Sequence, residues 1–441
     1  MNAITGLSLI DGPLPIVFWA LGAAAVAFLV VRRSWRWWLF AAATAAAAAL
    51  LSIAACWAAI HVVYLFAEDL PTAVVINLAL VLWVLTLGCA TALAGLRGRR
   101  TPGPSPARRT LAVVSMVAVL ATAGVQVNAY FGEYPTLASL LGRQPVASSQ
   151  PPPALQQAVG DRFMASSVAA GWRAPAGLPP TGSLLAADIP GTLSGFHGRD
   201  AVVYLPPAYY AASRPVLPVL VLVSGQPGSP ESWLRSTNLS YDLDAFAAAH
   251  GGLAPIVVIP DPNGSNQNNT MCMNSTLANA GTYMAQDVPN WIKSHLDADT
   301  NPAHWAVGGF SYGGTCSVQM VTRHPDVYQS FMAISPEREP ALAAKRSVTV
   351  DRAFHGDAAA FVSQLPLTLM ATHEYPTIHG WFAAGSQDAT YSANVKVLIK
   401  AGKKAGMDVE SQSFPGGHSW AVANEALTPG LNFVYGRLGL N

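Results

Sequence analysis

Gly308-Gly309-Phe310-Ser311-Tyr312-Gly313-Gly314 carries the pattern G-x-S-x-G as Gly309-Phe310-Ser311-Tyr312-Gly313. The residues on either side give the pattern its meaning. His304-Trp305-Ala306-Val307 before it is a short apolar run that reads as a strand, and Thr315-Cys316-Ser317-Val318-Gln319-Met320-Val321 after it reads as a buried helix. A serine at such a strand-to-helix junction sits on a sharp, strained turn. Small neighbours let the helix pack close, and the hydroxyl projects over the sheet edge as a nucleophile. An ordinary glycine-rich turn is the competing reading, and the strand and helix around Ser311 weigh against it.

The strands and helices around this turn continue the pattern. Ala201–Leu205, Val216–Val223, Ile256–Pro260, Ser330–Ile334, Gly380–Ala384 and Val409–Phe414 read as strands, with Leu367–Ala371 as a further one. Several are near-continuous apolar runs, as expected of parallel strands covered on both faces. Tyr241–His250, Tyr283–Leu296, Tyr391–Ala405 and Trp420–Leu438 read as helices between or after them. Alternation of this kind over about 250 residues predicts an α/β fold with a doubly wound sheet. No G-x-G-x-x-G follows the first strands and no phosphate-binding loop occurs, so a nucleotide-binding fold has little support.

The front of the chain is different. Of 441 residues, 51% are hydrophobic and 11% charged, and the apolar excess lies in the first third. Leu14–Val31, Trp37–Ala59, Ala73–Ala94 and Leu111–Val127 contain no charged residue. Each approaches the roughly 20 apolar residues that cross a bilayer. Arg32, Arg33 and Arg36 lie between the first two runs, and Arg97, Arg99, Arg100, Arg108 and Arg109 between the last two. The middle loop carries Glu68 and Asp69 but no Lys or Arg. The positive-inside rule then puts both arginine loops in the cytoplasm, and both termini on the far side. The first run lacks the basic leader of a cleavable signal, so it is expected to remain as a span. The predicted organisation is a four-helix transmembrane domain over 1–128, a membrane-proximal segment and Pro/Ser/Ala-rich linker over 129–182, and an extracytoplasmic domain over 183–441.

A serine hydroxyl needs a histidine base, and the histidine needs a carboxylate. In folds with this elbow the acid follows the serine and the histidine comes last. His418, in Phe414-Pro415-Gly416-Gly417-His418-Ser419-Trp420, follows a strand in a glycine-rich loop near the C-terminus. Asp388, in Gly385-Ser386-Gln387-Asp388, stands just past a strand, with Asp357 and Glu374 in reserve. An aspartate before a helix also reads as an N-cap. The oxyanion donors expected are the backbone N–H of Tyr312 and that of Gln226, in Ser224-Gly225-Gln226-Pro227-Gly228. Pro227 has no N–H to offer. Cys272 and Cys316 fall in the exported part, where a disulfide is permitted and two separate buried thiols are the alternative. No metal site or cofactor is expected, and a net charge of +1 argues against a nucleic-acid partner.

With these residues in place, the chain resembles the Putative esterase family of α/β hydrolases, which includes esterase D-like enzymes and antigen 85-type mycolyltransferases. The matching pieces are Val202-Val203-Tyr204-Leu205-Pro206-Pro207, Leu222-Val223-Ser224-Gly225, the elbow, Gly385-Ser386-Gln387-Asp388 and Gly417-His418-Ser419-Trp420. The resemblance implies an α/β-hydrolase fold with Ser311 as nucleophile, His418 as base and Asp388 as acid, and it favours the Cys272–Cys316 bridge. Mycolyltransferases use Glu where Asp388 stands. Ile334-Ser335-Pro336 departs from relatives that show glycine after the serine. A multi-span anchor with an exported esterase also resembles actinobacterial membrane esterases, including hydrolases of aminoacylated phospholipids. The implied function is hydrolysis of a lipid or cell-envelope ester outside the membrane. Acyl transfer in the envelope is the first alternative, and a non-catalytic envelope-assembly module on a hydrolase fold is the second.

Overall fold

The computed structural model describes residues 5–94, 105–142, 148 and 168–440. Arg97, Arg99, Arg100 and the Pro151–Pro153 run of the linker lie outside the described residues. The chain divides into two compact units that part near residue 143.

The first unit contains α1 (Pro13–Val30), α2 (Trp35–His61), α3 (Thr72–Ala92) and α4 (Pro106–Phe131). All four are long and apolar enough to cross a membrane, with mean hydropathies of 2.0 to 2.4 over their best windows. Ile16, Trp19, Leu50, Trp57, Ile76 and Val117 are exposed. Ser52, Asn77, Thr91, Ser115 and Thr122 are buried instead. Two of these hydroxyls bond across helices: Ser52 donates to the Val75 carbonyl and Thr122 to that of Phe18, each at 2.8 Å. Apolar side chains outside with small and polar ones inside is the packing expected where the solvent is hydrocarbon. The helix α4 starts five residues before the apolar run it contains. Its ends are set by caps, with Ser105 accepting from the Arg108 N–H, Pro106 in the first turn and Gly132 left-handed at the end.

The second unit is built on one eight-stranded sheet. Its strands are β1 (Ser183–Ala187), β2 (Ala201–Leu205), β3 (Val219–Val223), β4 (Ile256–Ile259), β5 (Trp305–Phe310), β6 (Ser330–Ile334), β7 (His379–Gly385) and β8 (Asp408–Phe414). The spatial order is β1-β2-β4-β3-β5-β6-β7-β8. Neighbours from β4 to β8 pair in parallel, whereas β1 pairs antiparallel with β2 and β2 antiparallel with β4. Every residue of β2 through β6 is buried. That explains the unbroken apolar runs, since helices cover both faces and leave no face for polar residues. The exceptions are the two edge strands, β1 with only Leu185 and Ala187 buried and β8 with only Val409 and Phe414.

Three sequence expectations change. Leu367–Ala371 is not a strand but part of the helix Pro366–Thr372. A short apolar run does not discriminate the two states, and Pro366 in the first turn suits a helix start. The strand β1 went unread. The helix expected over Tyr283–Leu296 runs from Ala280 to His295, with a wider π turn over Tyr283–Asp287.

Candidate active site

The elbow owes its shape to what surrounds it. Ser311 has φ 56° and ψ −116°, a positive-φ conformation that costs a non-glycine residue free energy. Its N–H donates to the Ile334 carbonyl at 2.8 Å, tying the turn to the end of β6. A Cβ on Gly309 would stand 2.3 Å from the Gly313 carbonyl carbon, and one on Gly313 would stand 2.0 Å from the Val223 oxygen. Both glycines of the pattern are therefore required by contact with backbone, which cannot move aside.

Asp388 and His418 come from the loops after β7 and β8. The two loops are knitted together, with Ser386 N–H donating to Phe414 O at 2.7 Å and Gln387 N–H to Gly416 O at 2.9 Å. Asp388 has two tasks. Its Oδ1 accepts from the Tyr391 N–H at 3.1 Å, capping the helix Ala389–Lys404, and its Oδ2 is 3.2 Å from His418 Nδ1. One carboxylate thus caps a helix through Oδ1 and faces His418 through Oδ2.

His418 completes the constellation. Its ring lies between Phe310, centroids 5.0 Å apart, and Tyr391, centroids 4.0 Å apart. Both stacks are within 30° of parallel, which fixes the plane of the imidazole. Its Nε2 is 2.8 Å from Ser311 Oγ. An ionised carboxylate only accepts, so Nδ1 carries the proton toward Asp388 and the Nε2 lone pair faces the serine hydroxyl. The side chain of His418 keeps 21% of its surface exposed against 7% for Asp388. The imidazole is therefore open to an incoming molecule while its carboxylate partner is shielded.

The expected oxyanion donors belong to the helix that starts after Ser311 and to the loop after β3. Tyr312 is the first residue of the helix Tyr312–Arg323, where an N–H has no partner within the helix. Gln226 is in the loop after β3, and β3 pairs with β5 through Val223 and Gly309. Neither N–H donates a hydrogen bond among the described residues.

The other acids and histidines of this unit lie in different settings. Asp357 caps the helix Ala358–Val362, and Glu374 is exposed. His304 Nδ1 is 2.6 Å from Asp299, whose hydrogen bond raises the imidazole pKa, while burial lowers that of His324. His379 pairs with Asp408. Ser335, at the departure from the family pattern, has φ 46° and a buried hydroxyl that makes no hydrogen bond among the described residues.

Cys272 and Cys316 form a disulfide with Cα atoms 5.4 Å apart. The bridge fastens the segment Thr270–Cys272 to the helix Tyr312–Arg323. Two further bonds support it: Thr270 Oγ1 is 2.9 Å from the Tyr312 hydroxyl, and Gln319 Nε2 donates to Met271 O at 3.0 Å. A crosslink closing a loop of sequence separation 44 limits the unfolded chain and is worth about 4 kcal/mol by loop-closure entropy. Replacing both cysteines with Ala should therefore lower unfolding free energy by about that amount in urea titrations. A loss below about 1 kcal/mol would show that the bridge contributes little.

Two contacts near Gln226 come from residues distant in sequence, the polar loop Asn263–Asn269 and Arg199. The loop is joined to the segment holding Gln226, because Gln226 Nε2 donates to Gln267 O at 3.1 Å. Arg199 binds the same loop through the Asn266 side chain. Nothing in the local sequence signals either contact.

A family profile described as "Putative esterase" matches residues 197–434. An uncharacterised protein of Corynebacterium glutamicum is 36% identical over 349 residues, covering 76% of this chain and 77% of that protein. Among solved structures, a ferulic acid esterase aligns over 58% of this chain and 98% of its own, at 17% identity and TM-score 0.49. An S-formylglutathione hydrolase from Agrobacterium tumefaciens aligns over 59% and 97%, at 16% identity and TM-score 0.49.

Proposed function

The chain belongs to the Putative esterase family, and from that membership we propose that it is a membrane-anchored serine esterase cleaving a carboxylic ester on the outer side of the membrane. One observation carries the proposal: a single imidazole, His418, bridges Ser311 Oγ at 2.8 Å and Asp388 Oδ2 at 3.2 Å. In this reading Ser311 Oγ attacks the ester carbonyl carbon as its proton passes to His418 Nε2. The carbonyl oxygen becomes an oxyanion, received by the N–H groups of Tyr312 and Gln226. Each such donor contributes about 3 kcal/mol to transition-state stabilisation. Collapse breaks the bond to the alcohol, which leaves with the proton from Nε2. Water then repeats the cycle on the acyl-enzyme and releases the acid. Asp388 keeps the imidazole in the tautomer that accepts at Nε2 and stabilises the imidazolium.

The four apolar helices motivate the lipid or envelope nature of the ester, including aminoacyl-lipids. An anchored enzyme meets membrane-borne substrate at high effective concentration. The detergent-solubilised full chain should hydrolyse short p-nitrophenyl esters and react with a fluorophosphonate probe. Folded protein that does neither would sink the proposal. Lipid profiles of a deletion strain should then show the uncleaved ester accumulating.

The orientation is a separate part of the proposal. It rests on Arg32, Arg33, Arg36 and the cluster from Arg97 to Arg109. Alkaline phosphatase fused after residue 441 should be active in cells, and a fluorescent protein that folds only in the cytoplasm should stay dark there. The reverse pair of results would overturn the topology.

A further inference from the structure

Arg199 stands just before β2, yet its side chain works at the edge where the parallel strands end. The reason is topological. Because β2 runs antiparallel to β4, with Val202 opposite Ile259, the start of β2 lies beside the end of β4. The guanidinium there joins three loops. Its Nε donates to Asp261 Oδ2 at 2.5 Å, and Nη2 to Asp261 Oδ1 at 3.2 Å. Nη2 also donates to the Gly228 carbonyl at 2.8 Å, and Nη1 to the Asn266 side chain. Asp261 is 3% exposed and also accepts from the backbone N–H groups of Arg199 and Asn263. The carboxylate is therefore fully engaged and holds the guanidinium in place as a rigid fork.

The Gly228 contact matters because Gly228 lies two residues after Gln226. The same short loop is gripped a second time by the Gln226 side chain on Gln267 O, within the loop that Arg199 holds through Asn266. Backbone donors stabilise an oxyanion only when their direction is set beforehand. The geometry points to Arg199 as a positioning residue that aims the Gln226 N–H, with Asp261 as its fixed base. This inference rests on the serine-esterase reading, in which that N–H receives the oxyanion.

The test uses Arg199→Lys in the full chain, with rates expressed per active site from exhaustive fluorophosphonate titration. Lysine keeps the charge beside Asp261 but lacks the planar fork that reaches Gly228 and Asn266 together. Misaiming one donor by about an ångström should lower kcat by about 10- to 100-fold, with KM within about twofold. The specific signature is the preference for an oxoester over its thionoester, in which sulfur replaces the carbonyl oxygen. Sulfur is larger and a poorer acceptor, so a well-aimed hole discriminates strongly. That preference should fall by about fivefold or more in the variant. Asn266→Ala, at an exposed position, should give the same signature at smaller size if the lysine variant does not fold.

An unchanged thionoester preference overturns the inference, whether total activity is intact or reduced through loss of folded protein. Failure of the esterase reading looks different. There, wild-type protein itself would not titrate with the probe, or Ser311→Ala would remain active.

Discussion

Ser311→Ala should lower kcat for ester hydrolysis by about 10⁶-fold, the scale seen when a nucleophile acting as a unit with its base is removed. Labelling by a fluorophosphonate should disappear as well, because no oxygen remains to form the bond to phosphorus and displace fluoride. Alanine retains the Cβ, so the strained turn at φ 56° and its N–H bond to Ile334 O are unaffected, and Tm should change little. Ser311→Gly makes a sharper test. Glycine adopts positive φ without penalty, so this variant should be equally inactive yet more stable than wild type by about 1 kcal/mol. Appreciable hydrolysis by either variant, after correction for spontaneous hydrolysis, would remove Ser311 from the mechanism. A less stable glycine variant would show that the elbow is not strained in the way its dihedral angles imply.

Asp388→Asn should lower kcat by about 10⁴-fold while leaving stability nearly unchanged. The helix cap decides the outcome. The Tyr391 N–H needs an acceptor, so the amide oxygen takes the place of Oδ1. The amide NH₂ is then left facing His418 Nδ1, where Oδ2 now stands. A donor there selects the imidazole tautomer protonated on Nε2, which cannot take the proton from Ser311. Asp388→Ala removes both functions, so it should lose a similar amount of rate and about 1 kcal/mol of stability. Stopped-assay kinetics with urea unfolding on the two variants separates the roles. Equal destabilisation by Asn and Ala would contradict the capping role, and near wild-type turnover by Asp388→Asn would contradict the orienting one.

Much of this site was legible because its constraints are local. Gly309 is required by the Gly313 backbone four residues on, whereas Gly313 is required by Val223 on the neighbouring strand, and β5 before the elbow is a fully buried run recognisable by composition. His418 and Asp388 were found because each follows a strand at the sheet edge where Ser311 also sits. The Leu367–Ala371 segment was misread for the opposite reason: a five-residue apolar stretch satisfies either period, and the helix around it buries only Pro366 and Met370. Asp388 offered two readings in the sequence because capping and orienting use different oxygens of one carboxylate. The positions of Tyr391 and His418 give each oxygen its own partner, so the two readings do not compete for one atom.

The four apolar runs, the alternating strands and helices, and the serine, aspartate and histidine in that order can all be read along the chain. These follow from the local period of burial and from local backbone sterics. Only the tertiary structure decided the Cys272–Cys316 pairing, the stacking of Phe310 and Tyr391 on His418, and the reach of Arg199 to Gly228. Such contacts join positions that strand order brings together, as with Ser311 and His418, 107 residues apart. The antiparallel insertion of β2 beside β4 is not encoded in any window of residues, because it is set by which burial the whole sheet achieves at once.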